Sequence, residues 1–251
     1  MSELRRDPIS GDWVAFAPER SRRPHDRETG AGRPVCPFCP GNEHMTPPEL
    51  ERVAGVEPGE WLIRVVENRY SAFRPDQERS RTGPDPSGFA RRPARGAQEV
   101  VIESPDHTAA FSAYPPEHVA HVFGVYQRRL RALSARPGVS TVTIFRNHGA
   151  AAGTSLAHPH SQIVASNAEP STCRLDRTAL GQGCPYCSML DTERKAGERV
   201  LLQSDGFVTV LPFASQWPFE VWILPVVHQR SFAQAGECEI RAVAAATQRA
   251  A

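Results

Sequence analysis

The stretch GAAAGTSLAHPHSQ, residues 149–162, decides what fold this chain is expected to have. Its last five residues predict an extended strand on which His158, His160 and Gln162 share one face, because alternate side chains of a strand point the same way. The small-residue run before them predicts a loop of accessible backbone N–H groups, which suits a phosphate. This segment is therefore the predicted reaction centre.

His160 is the predicted nucleophile. An imidazole has a reference pKa of about 6.5, so it is mostly neutral near pH 7 and can attack phosphorus without a separate base. Pro159 restricts the backbone between the two histidines, and metal ligation of His158 would orient His160. The alternative is that His160 is only structural and lies beside a metal.

Gln162 narrows the expected chemistry. An amide donates and accepts hydrogen bonds at fixed charge, whereas a histidine at this position could protonate a poor leaving group. The site therefore favours expulsion of a good leaving group, such as a sugar phosphate, and transfer to another phosphate. Hydrolysis is the less favoured outcome.

Four of the six cysteines form two Cys-x-x-Cys pairs. In a reducing compartment such pairs more often hold a metal than a disulfide, and we expect neither at the start of a helix that follows a strand, where a redox pair lies. Two thiolates and two imidazoles suit tetrahedral zinc. The predicted first zinc site consists of Cys36, Cys39, His107 and His158, and a second, incomplete set consists of Cys184, Cys187 and His228.

The two cysteine pairs also mark an internal duplication. We expect an α+β fold of antiparallel sheets with flanking helices, with one copy in residues 1–170 and a partial copy in residues 178–251. The strand equivalent to the His158 strand would fall beyond Ala251 in the second copy. Either the sequence is truncated, or a separate polypeptide supplies the closing strands.

Alternating and helical apolar patterns predict the individual elements. Strands are predicted at 61–66, 98–103, 140–146, 199–203, 207–211 and 219–224, and helices at 119–133 and from Glu237 onward. Residues 74–97 are rich in Pro, Gly and Arg and predict a mobile surface loop.

Composition excludes several classes of protein. The 251 residues carry a formal net charge of +1, which gives no general attraction to nucleic acid or membranes. The N-terminus lacks the apolar stretch of a secretory signal, and the longest apolar run, residues 221–227, is short and contains Pro225. We expect a cytoplasmic protein with neither a nucleic-acid nor a membrane partner.

The chain resembles the galactose-1-phosphate uridylyltransferase family, a branch of the histidine-triad superfamily, over nearly its whole length. The block at 147–162 is the most specific part of the likeness. The other matching motifs are RDPISGDW at 6–13, PERSRRP at 18–24, CPFCPGN at 36–42, ENRY at 67–70, SPDH at 104–107 and WPFEVWILP at 217–225. The resemblance implies a duplicated histidine-triad fold of half-barrel sheets.

The resemblance also implies an activity. His160 would attack the α-phosphorus of UDP-glucose, release glucose 1-phosphate, and pass UMP from a uridylyl-histidine to galactose 1-phosphate. Asn68 and Arg69 would lie at the nucleoside, and Arg20 and Arg23 would clamp phosphate, since a guanidinium fork matches phosphate oxygens. A solvated basic loop is the alternative for these two arginines. The residues expected at the nucleotide phosphates are Asn147, Gly153, Thr154, Ser155 and Gln162.

This chain departs from the family pattern in three places. Thr154 stands where a cysteine is common, Ser161 replaces a frequent glycine, and the family's C-terminal His-x-His strand is absent. Family precedent implies a homodimer with shared active sites, or here a complex with a chain that supplies the missing strands.

Two other functions remain open. A phosphorylase acting on an ADP-sugar or a dinucleoside polyphosphate would share His160 and both cysteine pairs. An inactive, zinc-stabilised fragment that binds nucleotide and docks on a partner chain is the alternative from another class, because an incomplete sheet exposes unpaired backbone groups.

Overall fold

The computed structural model describes residues 2–22, 35–75, 83–84, 88–170 and 183–251. The chain divides into two compact units. The first consists of Met1–Ala110 with Arg129–Ser171, and the second of Phe111–Arg128 with Thr172–Ala251.

A five-stranded antiparallel sheet forms the body of the first unit. Its strands are β3 (Glu49–Ala54), β4 (Trp61–Glu67), β7 (Gly96–Ile102), β8 (Thr141–Phe145) and β9 (His160–Ser166), in the order β3-β4-β7-β9-β8. The central strands β4 and β7 are rich in buried valine and isoleucine, residues that fit a pleated and covered surface. In the register of β7 and β9, Ile102 lies opposite His160 and Val100 opposite Gln162.

A second antiparallel sheet of the first unit has the order β2-β1-β6-β5. Its strands are β1 (Glu3–Arg6), β2 (Trp13–Phe16), β5 (Gly83–Pro84) and β6 (Ala90–Pro93). The expectation of a loop over 74–97 is wrong for β5, for β6, which pairs with β1, and for the start of β7. Residues 76–82 and 85–87 of that range lie outside the described residues. Arg92 of β6 lies over the Trp13 ring, 4.2 Å from its centroid, so a sequence that reads as a solvated loop is held by a cation–π contact.

Helix α1 (Pro116–Ser134) begins with proline, which the first helical position tolerates because its N–H would have no partner there. Val119, Val122, Tyr126 and Leu133 recur at helical spacing and are buried. The helix predicted from this spacing is confirmed. Residues 116–128 of α1 belong to the second unit.

The second unit contains the three-stranded antiparallel sheet β10-β11-β12 and two further helices. Its elements are α2 (Pro185–Ala196), β10 (Val200–Ser204), β11 (Phe207–Val210), β12 (Trp222–Pro225) and α3 (Glu237–Ala250). Leu190 of α2 packs with Val208 and Val210 of β11 in a buried cluster. The second unit thus joins an antiparallel sheet to helices.

The fold is therefore a mixed one of antiparallel sheets with few helices, as the sequence predicts. The histidine-triad duplication and the boundaries 1–170 and 178–251 stay predictions. Among the residues that the structure describes, no helix combines the length and the apolar character needed to span a bilayer.

Candidate active site and metal centre

The first unit holds a cavity of about 260 Å³ over the ends of β4, β7 and β9. Its apolar wall includes Phe38, Val66, Val100 and Leu156. The structure brings five of the predicted site residues to its lining, namely Asn68, Arg69, Ser155, His160 and Gln162. A wall that is mostly apolar and carries a few polar groups is typical of a small-ligand site.

His160 stands at the start of β9 and is buried. Its Nδ1 lies 2.8 Å from the backbone oxygen of His158. A carbonyl oxygen only accepts, so Nδ1 carries the proton and Nε2 of the neutral ring carries the lone pair. The Phe38 ring packs edge-on against His160, with the ring centroids 5.5 Å apart. The strand therefore fixes both the tautomer and the position of this imidazole.

Gln162 belongs to a chain of side-chain amides across three neighbouring strands. Its Oε1 accepts from Nε2 of Gln98 at 2.8 Å and from Nδ2 of Asn68 at 3.5 Å. Gln98 is buried in β7 and was not among the predicted site residues. A polar residue ahead of the apolar run at 100–102 was the available signal, but its partner Gln162 lies far away in sequence.

Four predicted ligands come together at one end of this sheet. The ligand atoms of Cys36, Cys39, His107 and His158 all lie within 4.8 Å of one another. Nδ1 of His158 is 3.7 Å from the Cys36 sulfur and 3.6 Å from the Cys39 sulfur, and Nδ1 of His107 is 3.4 Å from the Cys39 sulfur. Around tetrahedral zinc the sulfur-to-nitrogen separation is about 3.6 Å, from bond lengths of about 2.3 and 2.0–2.1 Å. The group fits a metal ion and is consistent with zinc.

Protonation in this group also fits a metal. Nε2 of His158 lies 2.8 Å from the Ser104 carbonyl oxygen, to which it donates, so Nδ1 presents its lone pair to the sulfurs. Burial lowers the pKa of His158 to about 4, which keeps the imidazole neutral. Burial raises the pKa of the Cys36 thiol to about 11, and a bound dication would reverse this shift by stabilising the thiolate.

A second group lies in the other unit. The ligand atoms of Cys184, Cys187 and His228 also lie within 4.8 Å of one another, and the Cys187 sulfur is 3.3 Å from Nδ1 of His228. Among the described residues no fourth ligand joins this group. Cys184 is the N-cap of α2, and Pro185 favours a helix at that point, so the second cysteine pair does begin a helix. The segment before Gly183 lies outside the described residues, so the expectation that no cysteine pair starts a helix after a strand stays a prediction.

The remaining predicted residues, where the structure describes them, are not part of the cavity lining. Thr154 follows a short turn, and its Oγ1 is buried without a hydrogen-bond partner in the described part of the chain. Gly153 has a φ of +75°, and Asn147 is exposed just after β8. Nη1 of Arg20 donates to the Tyr70 carbonyl at 3.0 Å and to Oε1 of Gln98 at 2.8 Å. Arg23 lies outside the described residues, so the phosphate clamp stays a prediction.

A buried ionic cluster supports the opposite face of β9. Glu103 is fully buried, accepts from the Ser161 hydroxyl, and pairs with Nε of Arg146 at 2.9 Å. The backbone N–H of Glu103 also donates to the Pro159 carbonyl at 3.1 Å. Ser161, one of the departures from the family pattern, thus has a specific partner in this chain.

Comparison with known proteins identifies a matching family and several relatives of this chain. Residues 1–170 match the family described as "Galactose-1-phosphate uridyl transferase, N-terminal domain". ADP-glucose phosphorylase of Arabidopsis thaliana is 35% identical over 243 residues, which cover 92% of this chain and 67% of the relative. Galactose-1-phosphate uridylyltransferase of Thermotoga maritima is 29% identical over 237 residues, covering 91% of this chain and 68% of the relative.

Solved structures agree with these matches. The crystal structure of the Arabidopsis thaliana ADP-glucose phosphorylase with bound ADP-glucose has a TM-score of 0.72 at 31% identity and covers 100% of this chain and 76% of that one. A uridylyltransferase structure has a TM-score of 0.76 at 26% identity, covering 98% of this chain and 73% of that one. The chain spans about two thirds of the length of the two curated relatives. Because the family model covers residues 1–170 and a relative is 35% identical over 92% of this chain, the chain belongs to the galactose-1-phosphate uridylyltransferase family.

Proposed function

We propose that this chain transfers a nucleoside monophosphate from a nucleotide sugar to a second phosphate through His160. The observation that carries the proposal is the tautomer of His160: with Nδ1 donating to the His158 carbonyl, the lone pair is on Nε2, and His160 lines the same cavity as Gln162. Nε2 attacks the α-phosphorus, a P–N bond forms, and the P–O bond to the sugar phosphate breaks. An oxygen of the incoming phosphate then attacks, and the P–N electron pair returns to Nε2.

Neither half of this reaction requires a protein acid. The leaving group departs as a sugar phosphate, which is a stable anion, so the neutral Gln162 is chemically sufficient beside the reacting phosphorus. Gln162 and Ser155 line the cavity with His160. The buried Oγ1 of Thr154, which has no partner among the described residues, is in the loop that leads into the catalytic strand. We infer that these groups hydrogen-bond the nucleotide phosphates.

We infer that zinc in the group of Cys36, Cys39, His107 and His158 is structural. All four positions of a tetrahedron are taken by these side chains, which is typical of a closed structural site. When bound, the metal cross-links the Cys36 loop to the residue two before His160. The second group is proposed as a further zinc site that lacks one ligand in the described chain.

Two pairs of donor and acceptor substrates are candidates for this transfer. The first is UMP transfer from UDP-glucose to galactose 1-phosphate, which the family match over residues 1–170 supports. The second is phosphorolysis of ADP-glucose, supported by the 35% identity to the Arabidopsis thaliana ADP-glucose phosphorylase. Both use the same histidine and differ in the base and in the acceptor.

We also propose that the two units arose by duplication of a histidine-triad fold, since each contains a Cys-x-x-Cys pair, an antiparallel sheet and a nearby histidine. We also propose a homodimer with shared active sites as the assembly.

The proposal is tested by incubating the protein briefly with UDP-glucose or ADP-glucose labelled at the α-phosphorus and measuring label and mass on the intact chain. We expect one nucleoside monophosphate per active site, discharged by galactose 1-phosphate in the first case or by inorganic phosphate in the second. Replacing His121, an exposed histidine of α1, by Asn should leave labelling unchanged and serves as the matched control. Absence of label from both donors contradicts the proposal.

A further inference from the structure

We propose that Gln98 is a positioning residue that fixes which end of the Gln162 side-chain amide faces the reacting phosphate. The inference deepens the proposed function and rests on it only for its catalytic consequence. The hydrogen-bond arrangement itself is a property of the chain without substrate.

The groups around the Gln98 side chain determine which end of its amide is the oxygen and which is the NH₂ group. Nη1 of Arg20 reaches one end of its amide at 2.8 Å, and the backbone N–H of Ala72 reaches the same end at 3.1 Å. A guanidinium nitrogen and a backbone N–H can only donate, so that end of Gln98 must be the oxygen Oε1. The other end is the NH₂ group, which lies 2.8 Å from Gln162. The atom of Gln162 that meets it must therefore be Oε1.

Asn68 imposes the same polarity from a second direction. The backbone N–H of Tyr70 donates to Oδ1 of Asn68 at 2.9 Å, so the free end of this amide is its NH₂ group. That group lies 3.5 Å from the same oxygen of Gln162. Two series of hydrogen bonds, one through Gln98 and one through Asn68, thus end at Oε1 of Gln162. Each series begins at a group that can only donate, so neither can run in the opposite direction.

The fixed orientation of the Gln162 amide determines which of its ends is available to a ligand in the cavity. With Oε1 held by two donors, the Nε2 group of Gln162 is the end left for a ligand, and no described residue accepts from it. A phosphoryl oxygen is an acceptor, so this polarity is attractive, whereas the flipped amide would present a carbonyl oxygen to an anion. Gln98 is 5% exposed, so its contact with Gln162 is largely shielded from competing water.

Two replacements of Gln98 separate positioning from a merely structural role. Gln98→Glu keeps an acceptor for Arg20 and for the Ala72 N–H, but it has no donor for Gln162 and draws the Gln162 NH₂ group away from the ligand. Gln98→Met removes every hydrogen bond and imposes no polarity. If Gln98 positions the Gln162 amide, Gln98→Glu should slow the chemical step more than Gln98→Met. If Gln98 has only a structural role, Gln98→Met should slow it more.

The first measurement needs no substrate. In the wild-type chain, we expect the side-chain NH₂ protons of Gln98 to exchange with solvent about tenfold or more slowly than those of Gln162, because only the Gln98 group donates to a buried partner. In Gln98→Glu, the Gln162 protons should become the slowly exchanging ones. Fast exchange at Gln98 together with slow exchange at Gln162 in the wild type would overturn the inference, whatever the activity.

The second measurement is the rate constant for labelling His160 and the dissociation constant of the nucleotide donor. Gln98→Glu should slow labelling by about 10- to 100-fold, below the 10²- to 10³-fold typical of losing a transition-state donor outright. Gln98→Met should slow labelling by less than Gln98→Glu does. The affinity for the nucleotide donor should change by less than about threefold, because the neutral contacts outside the reacting phosphate remain. Equal losses in both variants, or a greater loss in Met, would refute positioning.

Gln127 provides the matched control. It is buried in α1 and donates to the Ala235 carbonyl at 2.6 Å in the second unit. Gln127→Glu places the same new charge in an equally buried position and should leave the labelling rate within about twofold. If the wild-type chain takes no label, the proposed function fails, and the exchange measurement still decides the polarity of Gln162.

Discussion

Replacing Cys36 by Ser should remove one zinc from the protein and destabilise the first unit. A serine hydroxyl is a weak ligand at neutral pH, because zinc binds deprotonated ligands. A structural zinc site contributes about 10–16 kcal/mol, so losing one of four ligands is expected to cost about 3–4 kcal/mol, or about 100- to 1000-fold in zinc affinity. Cys36 is 8% exposed and packs with Phe38 and Leu156, so burying a hydroxyl there adds about 1 kcal/mol.

The assay combines elemental analysis, competition with a chelator, and thermal unfolding. We expect zinc content to fall by one per chain and the midpoint of the first unit's unfolding to fall by about 8–20 °C, from a total of about 4–5 kcal/mol at about 2–4 °C per kcal/mol. Cys238 is an exposed cysteine of α3, outside both groups, so Cys238→Ser controls for the loss of a thiol. If Cys36→Ser kept its zinc through the same chelator concentration as the control, the four-ligand assignment and the stability argument would both be wrong.

Three further outcomes follow from the geometry. His160→Gly should abolish the labelled intermediate while zinc content stays unchanged, and wild-type labelling would remove this ring from its proposed role. Glu103→Gln should cost about 2–3 kcal/mol, because a neutral amide replaces the fully buried carboxylate that pairs with Nε of Arg146, and a urea midpoint near wild type would contradict this. Gly96→Ala should cost about 2–4 kcal/mol in urea unfolding, because φ is +146° and a Cβ would overlap the Ala165 carbonyl; unchanged stability would show that the strand can shift.

The sequence predicted best what lies in one motif or depends on a rare residue type. His160 and Gln162 are two residues apart on a strand, so their common face follows from period-two geometry, and the structure places both at one cavity. The four zinc ligands could be predicted although Cys39 and His107 are distant in sequence. Zinc favours cysteine and histidine ligands, and the chain contains only six cysteines and nine histidines. Their roles as nucleophile and ligands stay predictions that the experiments above test.

The sequence could not reveal contacts that depend on strand register. Gln98 of β7 and Glu103, which directly follows β7, point to opposite faces of the sheet. The pairing of β7 with β9 brings the first to Gln162 and the second to Ser161. Helix α2 was missed because its first turn contains the second cysteine pair, which suggested a metal-binding loop rather than a helix start. Local pattern carries no information about such distant partners.

The register of β9 is as important to the proposed site as the histidine itself. A slip of one residue would turn His160 and Gln162 to the opposite face of the sheet. On that face the Ser161 hydroxyl donates to the buried Glu103 carboxylate, which a slipped strand would leave without this donor. On the cavity face Gln98 holds Gln162, as described above. Because a buried acceptor that loses its donor costs about 1–3 kcal/mol, polar contacts on both faces oppose the slip.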